Sequence, residues 1–209
     1  MIRIRRFWLV LIDRGIRSTK RGRKAGSIIS LFWGDGMARE LMWVCAIAPE
    51  EFRKKVTRLC LSENKSIGLP ENVFKLPLHI SLKKSFYTED FALVKDDILK
   101  IMNGIGRFRC HIDRICLQRD MLWLSLLNAG DLQRLHTELD RQLSEKHGVP
   151  IGKYDRVFQP HISLFTRGIK EQMQAMYDRL NGIDFGGEIE ISRFVIGSSG
   201  HKDIFYNLS

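Results

Sequence analysis

The chain has 209 residues, 34 Lys+Arg against 24 Asp+Glu, a formal charge of +10, and 44% hydrophobic residues. That length holds one domain or two small ones with enough chain to bury a core, and the composition excludes wholly disordered and fibrous classes. The charge would point to nucleic acid if it were spread over the chain. It is not: residues 1–25 carry nine basic side chains against Asp13 alone, a net of +8, while the remaining 184 residues hold 25 basic and 23 acidic groups, a net of +2.

Phe7–Ile12 is a six-residue apolar run broken by Asp13 and Arg14. It is too short for a secretory h-region, and no segment approaches the roughly 20 apolar residues of a membrane-spanning helix. Residues 1–36 are expected to be a basic extension, disordered or not natively translated. Trp33-Gly34-Asp35-Gly36-Met37 is encoded TGG-GGN-GAY-GGN-ATG, which contains GGGGAGA when the Gly34 codon ends in A. That resembles a bacterial ribosome-binding site and suggests a natural start at Met37 or Met42. Residues 37–209 are then a single bilobal domain. Cys45, Cys60, Cys110 and Cys116 form no CxxC pair, have no His partner at zinc-finger spacing, and fall in apolar-patterned segments. Reduced, mostly buried thiols and a cytoplasmic location are expected.

Leu41–Ala48 reads as a strand, ended by Pro49, which suits the first turn of a helix with Glu50 and Glu51. Phe52, Val56 and Cys60 then form a helical stripe. After a loop through Gly68-Leu69-Pro70, Leu76–Phe86 reads as a strand. Residues 90–102 read as a helix with Phe91, Val94, Ile98 and Ile101 on one side. Arg107–Leu117 and Met121–Leu127 read as a strand pair turning at Arg119-Asp120. Asn128 can cap a long helix whose Leu132, Leu135, Leu139 and Leu143 face the core and which closes near Gly148. Val157–Phe165 reads as a strand, Ile169–Leu180 as a helix, Glu188–Ile196 as one strand and Asp203–Leu208 as the last. The pattern is α+β, with two lobes sharing one packed body.

His-Ile-Ser-Leu occurs twice, at 79–82 and 161–164. Asn103-Gly104-Ile105 recurs as Asn181-Gly182-Ile183, and Asp113-Arg114-Ile115 resembles Ser192-Arg193-Phe194, in the same order and at similar offsets. The spacing predicts a duplicated unit of strand, helix and two paired strands. Strand alternation places His79 and Ser81 on one face and Ile80 and Leu82 on the other, and likewise His161 and Ser163 against Ile162 and Leu164. The apolar pairs must face the helices, so the His-Ser pairs face away. Two lobes related by a pseudo-twofold could bring two imidazoles and two hydroxyls to one cleft. That set suits in-line displacement at phosphorus: a neutral His takes a proton from the attacking oxygen, a protonated His gives one to the leaving oxygen, and hydroxyls hold the non-bridging oxygens. No metal or cofactor is expected, since no carboxylate or His cluster of ligand type is visible in the sequence.

The paired His-x-Ser-x motifs on a duplicated α/β unit resemble the 2H phosphoesterase superfamily, which includes the bacterial 2′-5′ RNA ligases and RNA 2′,3′-cyclic phosphodiesterases. The resemblance covers about 40–209. It implies two pseudo-symmetric lobes, each an antiparallel sheet with outer helices, with the active-site cleft between them. It also implies a metal-independent phosphoesterase acting on a 2′,3′-cyclic phosphate or 2′-5′ bond of RNA or a small nucleotide, with RNA ends or cyclic nucleotides as substrates. Carried over, His79 and His161 are catalytic, and Ser81 and Ser163 bind phosphate. Many members place a basic residue five positions after the second His; this chain has Thr166 there and Arg167 one further on.

Lys83, on the alternation, shares the face of His79 and Ser81 and could meet phosphate or the RNA backbone, or be a solvated edge lysine. Phe165 shares the face of His161 and Ser163 and could stack a base, or pack. Tyr154 and Arg156 belong to the cleft rim or to a solvated loop. His111, His136, His147 and His201 read as structural. The alternatives are a 2′-5′ RNA ligase acting on tRNA fragments and a non-catalytic RNA-binding module with the same cleft. A monomer with no membrane association is expected.

Overall fold

The computed structural model describes residues 39–200 and 203–208; the expectations for residues 1–36, and that for His201, lie outside them. The element order is β1 (Glu40–Ile47), α1 (Glu50–Asn64), a 3-10 turn (Asn72–Lys75), β2 (His79–Thr88), α2 (Phe91–Asn103), β3 (Phe108–Gln118) and β4 (Met121–Leu127). α3 (Gly130–His147), β5 (His161–Thr166), α4 (Lys170–Leu180), β6 (Glu188–Ile191), β7 (Arg193–Ser198) and β8 (Ile204–Asn207) follow.

The strands form two antiparallel four-stranded sheets, ordered β2-β1-β7-β8 and β5-β4-β3-β6. Superposing the orders equates β1 with β4, β2 with β5, β7 with β3 and β8 with β6. The repeat is therefore β-α-β-α-β, β1 to β3 and β4 to β7, with β6 inserted before the last strand of the second copy, and it opens one strand earlier than the expected unit. The last strand of each copy crosses to the other copy's sheet: β3 pairs β4 and β7 pairs β1. Glu188–Ile196, expected as one strand, is consequently two. Its first part, β6, pairs β3, and its second part, β7, pairs β1, with the break at Ser192. This exchange welds the two lobes into one body.

Sheet alternation decides which side chains meet the helices. Met42, Val44 and Ala46 of β1 join the main core with Phe52, Val56 and Cys60 of α1 and Val94 and Ile98 of α2. Trp43, Cys45 and Ile47 point the other way and form a small separate cluster with Val195. The Trp43 indole lies over its cross-strand neighbour Gly197, where a Cβ would come within 2.0 Å of the ring. Leu132, Leu135, Leu139 and Leu143 of α3 are buried, as the heptad-like stripe requires.

Helix ends follow local chemistry. The Asp90 carboxylate accepts from the Leu93 amide at 2.9 Å to cap α2. α3 ends at Gly148 in the left-handed region, φ 63°, with the amides of Gly148 and Val149 donating back to the last turn. Asn128 does not cap α3: its own backbone is left-handed, φ 53°, and the capping position is Ala129. The second motif strand begins at His161 rather than Val157, because residues 153–157 form turns. No helix among the described residues is long and apolar enough to cross a membrane. Cys45, Cys60 and Cys110 are buried, and burial pushes the Cys45 and Cys60 thiols up to about 12.

Candidate active site between the motif strands

β2 and β5 are edge strands of their sheets and lie against each other, so the two sheets meet along the strands that carry His-Ile-Ser-Leu. Pairing register identifies the faces. His79 lies opposite Ile47 and Ser81 opposite Cys45, both members of the small cluster turned away from the main core. His161 lies opposite Ser125 and Ser163 opposite Trp123, whose ring centroid is 5.6 Å from that of His161. Ile80, Leu82, Ile162 and Leu164 are in the main core. The face assignment read from strand alternation therefore holds for both His-Ser pairs.

Each imidazole is fixed by the same device. Nδ1 of His79 donates to the carbonyl oxygen of Pro77 at 2.8 Å, and Nδ1 of His161 to that of Gln159 at 2.8 Å. Both acceptors are two residues before the His. With the Nδ1 proton held by a carbonyl, Nε2 is the nitrogen that gains or loses a proton. Burial lowers the pKa of both histidines below 6.5. For His79 the hydrogen bond to the Pro77 carbonyl opposes the effect of burial, and the nearby His161 adds to it. Apolar Ile47 and Trp123 beside the rings account for the lost hydration. The Ser163 hydroxyl donates to Sδ of Met121 at 3.9 Å, and the Ser81 hydroxyl hydrogen-bonds the Cys45 thiol.

The next residues depart from simple alternation. In β2 the partners of Cys45 and Val44 are Ser81 and Lys83, so Leu82 is an extra residue. In β5 the partners of Trp123 and Leu122 are Ser163 and Phe165, so Leu164 is the extra residue. Each bulge turns the following side chain to the core. Lys83, expected beside His79 and Ser81, lies instead opposite core-facing Val44 and is 2% exposed. Its ammonium contacts Oδ1 of Asp140 at 2.5 Å and Oδ2 of Asp155 at 2.9 Å. Phe165, expected on the face of His161, is fully buried and packs edge-on against Phe74, ring centroids 5.1 Å apart. Both expectations fail for one reason: a bulge reverses the face of the residue that follows it, and in β2 a second irregularity restores the original alternation by Phe86, which pairs core-facing Met42.

Arg167 is exposed just past β5, with a left-handed backbone, φ 65°, and its amide donating to the Asp120 carbonyl at 2.8 Å. Thr166, opposite Met121, occupies the site-facing position of β5.

Sequence reasoning missed the Lys83 network. His136, Asp140 and Asp155 converge, although no cluster was visible in the sequence. The His136 ring nitrogens lie 2.7 Å from the Leu82 carbonyl oxygen and 2.8 Å from that of Asp155, and its ring stacks on Phe158. The Lys83 ammonium already holds the point between the two carboxylates that a cation would take. The network pins the 152–158 loop, which leads into the second motif, onto β2, which carries the first. The Asp155 carboxylate also accepts from the Gly152 amide at 2.8 Å. Trp123 was missed as well; its indole N–H has no acceptor among the described residues. A signal was available, since Trp123 falls on the non-core alternation of β4.

The family model of the 2′-5′ RNA ligase superfamily matches residues 48–203. Among solved structures, E. coli LigT complexed with 3′-AMP is similar at 15% identity and TM-score 0.56, over 82% of this chain and 97% of that one. Kluyveromyces marxianus Usb1 with uridine monophosphate is similar at 10% identity and TM-score 0.54, over 81% and 98%. These likenesses show the two-sheet, four-helix fold. No curated protein sequence matches the chain. With a family model spanning three quarters of its length, this chain belongs to the 2′-5′ RNA ligase superfamily, the 2H phosphoesterases.

Proposed function

We propose that this chain is a phosphoesterase that opens a 2′,3′-cyclic phosphate or cleaves a 2′-5′ phosphodiester of RNA or a small nucleotide. The observation that carries the reading is the duplicated tether: two imidazoles, each held through Nδ1 by the carbonyl two residues back, on abutting strands with a Ser two residues on. In hydrolysis of a cyclic phosphate, Nε2 of the neutral His takes a proton from water as the new P–O bond forms. The P–O bond to the ribose oxygen breaks in line, and the protonated His gives its proton to that oxygen. The Ser81 and Ser163 hydroxyls hold the non-bridging oxygens as charge builds on them. Ligation is the same displacement with the 5′-hydroxyl of a second strand in place of water; cleavage of a 2′-5′ bond by the neighbouring ribose hydroxyl is its reverse, with acid and base exchanged.

The working unit is the bilobal body from residue 37 to 209, acting as a monomer in the cytoplasm without metal or cofactor; the buried, unpaired Cys45, Cys60 and Cys110 support a reducing compartment. The test is an assay of the pure protein with EDTA against nucleoside 2′,3′-cyclic phosphates and 2′-5′-linked dinucleotides. His79→Ala and His161→Ala are each expected to lower kcat by about 10³-fold or more with an unchanged circular dichroism spectrum. Full activity in either variant sinks the mechanism. Loss of wild-type activity in EDTA sinks the metal-free reading, and no turnover by the wild type leaves a binding module.

A further inference from the structure

The bulge that buries Lys83 has an opposite effect on its neighbour. Lys83 pairs with core-facing Val44 and Phe86 with core-facing Met42, so Lys84 and Ser85 together lie opposite Trp43, which is turned away from the main core with Cys45 and Ile47; Lys84 is exposed where Lys83 is not. The charge of Lys83 is neutralised by two buried carboxylates. Lys84 makes no ion pair among the described residues. Its ammonium lies over the ring of Tyr154 instead, 5.1 Å from the centroid. Tyr154 is 61% exposed and belongs to the 152–158 loop that the Lys83–Asp155 pair and His136 fix to the body. The ammonium of Lys153 lies over the same ring, 4.9 Å from the centroid, so the aromatic face holds two lysines without neutralising either charge. The corresponding position of β5 is Thr166, so the pseudo-twofold supplies no second cation there.

We propose that Lys84 is the cation that binds the substrate phosphate between the two histidines, with Tyr154 as its positioning residue. The proposal rests on the phosphoesterase reading. Along β2 the step from Ser81 to Lys84 spans two partner positions on β1, on the order of 7 Å, and the four-carbon stem covers that distance. A point charge suits the task because the non-bridging oxygens gain charge in the displacement while both hydroxyls and the imidazolium N–H give only directional hydrogen bonds.

Binding and turnover separate this proposal from its parent. Adenosine 3′-monophosphate and inorganic phosphate are titrated calorimetrically into the wild type and into Lys84→Gln, Lys84→Arg, Tyr154→Ala and Tyr154→Phe, and kcat and KM for a 2′,3′-cyclic nucleotide are measured alongside. Lys84→Gln should weaken binding of the monophosphate roughly tenfold or more and lower kcat by about 100-fold, whereas Lys84→Arg should restore most of the affinity. Tyr154→Ala should weaken binding and make it more salt-sensitive, while Tyr154→Phe, which keeps the ring, should match the wild type. Unchanged monophosphate affinity in Lys84→Gln overturns the proposal, as does a wild type that binds neither probe. A wild type that binds the monophosphate through Lys84 but turns over no substrate upholds the phosphate site and overturns only the catalytic reading.

Discussion

The two motif strands share a backbone and differ in what surrounds it. In both, the His is tied through Nδ1 to the carbonyl two residues back, Ser faces the same side, and a leucine is the extra residue of a bulge. After the bulge they diverge. β2 sends Lys83 into a buried ionic network, and β5 sends Phe165 into an aromatic contact. On the site side, β2 carries Lys84 where β5 carries Thr166, and Ser81 lies beside Cys45 where Ser163 lies beside Trp123. The geometry that aims the two imidazoles is thus duplicated, and the chemistry that anchors each strand and tunes each pocket is not.

The largest expected effect tests the shared part. If the two histidines act as one acid–base pair, the double variant His79→Ala/His161→Ala should fall little below the weaker single variant, because either deletion already disables the pair. Residual turnover measured in both singles and in the double gives the comparison. Losses that multiply, so that the double is about 10⁶-fold down, would mean two independent contributions and would break the symmetric account.

The next effect tests the divergent part. Lys83→Ala leaves Asp140 and Asp155 without the ammonium that bridges them, in a pocket where all three side chains are at most 8% exposed. A cost of about 3–5 kcal/mol in denaturant unfolding is expected, as for a buried pair with one partner removed. Phe165→Ala should cost a similar 3–5 kcal/mol by a different route, the cavity left beside Phe74. The two separate on repair. Replacing Lys83 with Met and both carboxylates with Asn should recover much of the loss, since the penalty comes from the uncompensated charges rather than from the missing contact. No comparable polar repair exists at Phe165. A stable Lys83→Ala protein would show that the network is not what fixes the 152–158 loop.

The contrast between the strands also explains what the sequence could tell. His79, Ser81, His161 and Ser163 were legible because period-two alternation is local and their apolar neighbours had to face the helices. Lys83 and Phe165 were misplaced because a bulge is a property of strand pairing: nothing within Leu82-Lys83-Lys84 shows that Ser81 and Lys83 will oppose successive residues of β1. The crossing of β3 and β7 between sheets was hidden for the same reason, and Glu188–Ile196 looked continuous although Ser192 divides two strands with partners in different sheets. His136, Asp140 and Asp155 looked unremarkable on their helix and loop until packing against β2 brought them to one lysine. Local periodicity thus gave the common face of each His-Ser pair, while pairing register, which is non-local, decided what surrounds them.

The smallest predicted effect concerns the pH profile, and its sign follows from burial. Both histidines sit beside apolar neighbours, and both have pKa values lowered from 6.5, that of His79 further by His161. A lowered pKa means that each proton is lost at a lower pH. In the free protein the base is therefore ready on the acid side of neutrality, and the acid has surrendered its proton before pH 7. The profile of kcat/KM, which reports the free protein, should be a bell with its maximum below pH 6.5. Its two limbs belong to the coupled pair rather than to His79 or His161 singly. Once substrate binds, its anionic phosphate stabilises the imidazolium and opposes the cost of burial, so the alkaline limb of kcat should lie at higher pH than that of kcat/KM. The separation between the two limbs measures how strongly the phosphate and the imidazolium interact. Lys84→Gln should widen it, because removing a competing cation leaves more of the phosphate charge to the histidine. A kcat/KM profile that peaks above pH 7 would contradict burial as the dominant influence on the pair, and with it the assignment of Ile47 and Trp123 as the groups that exclude water from the two rings.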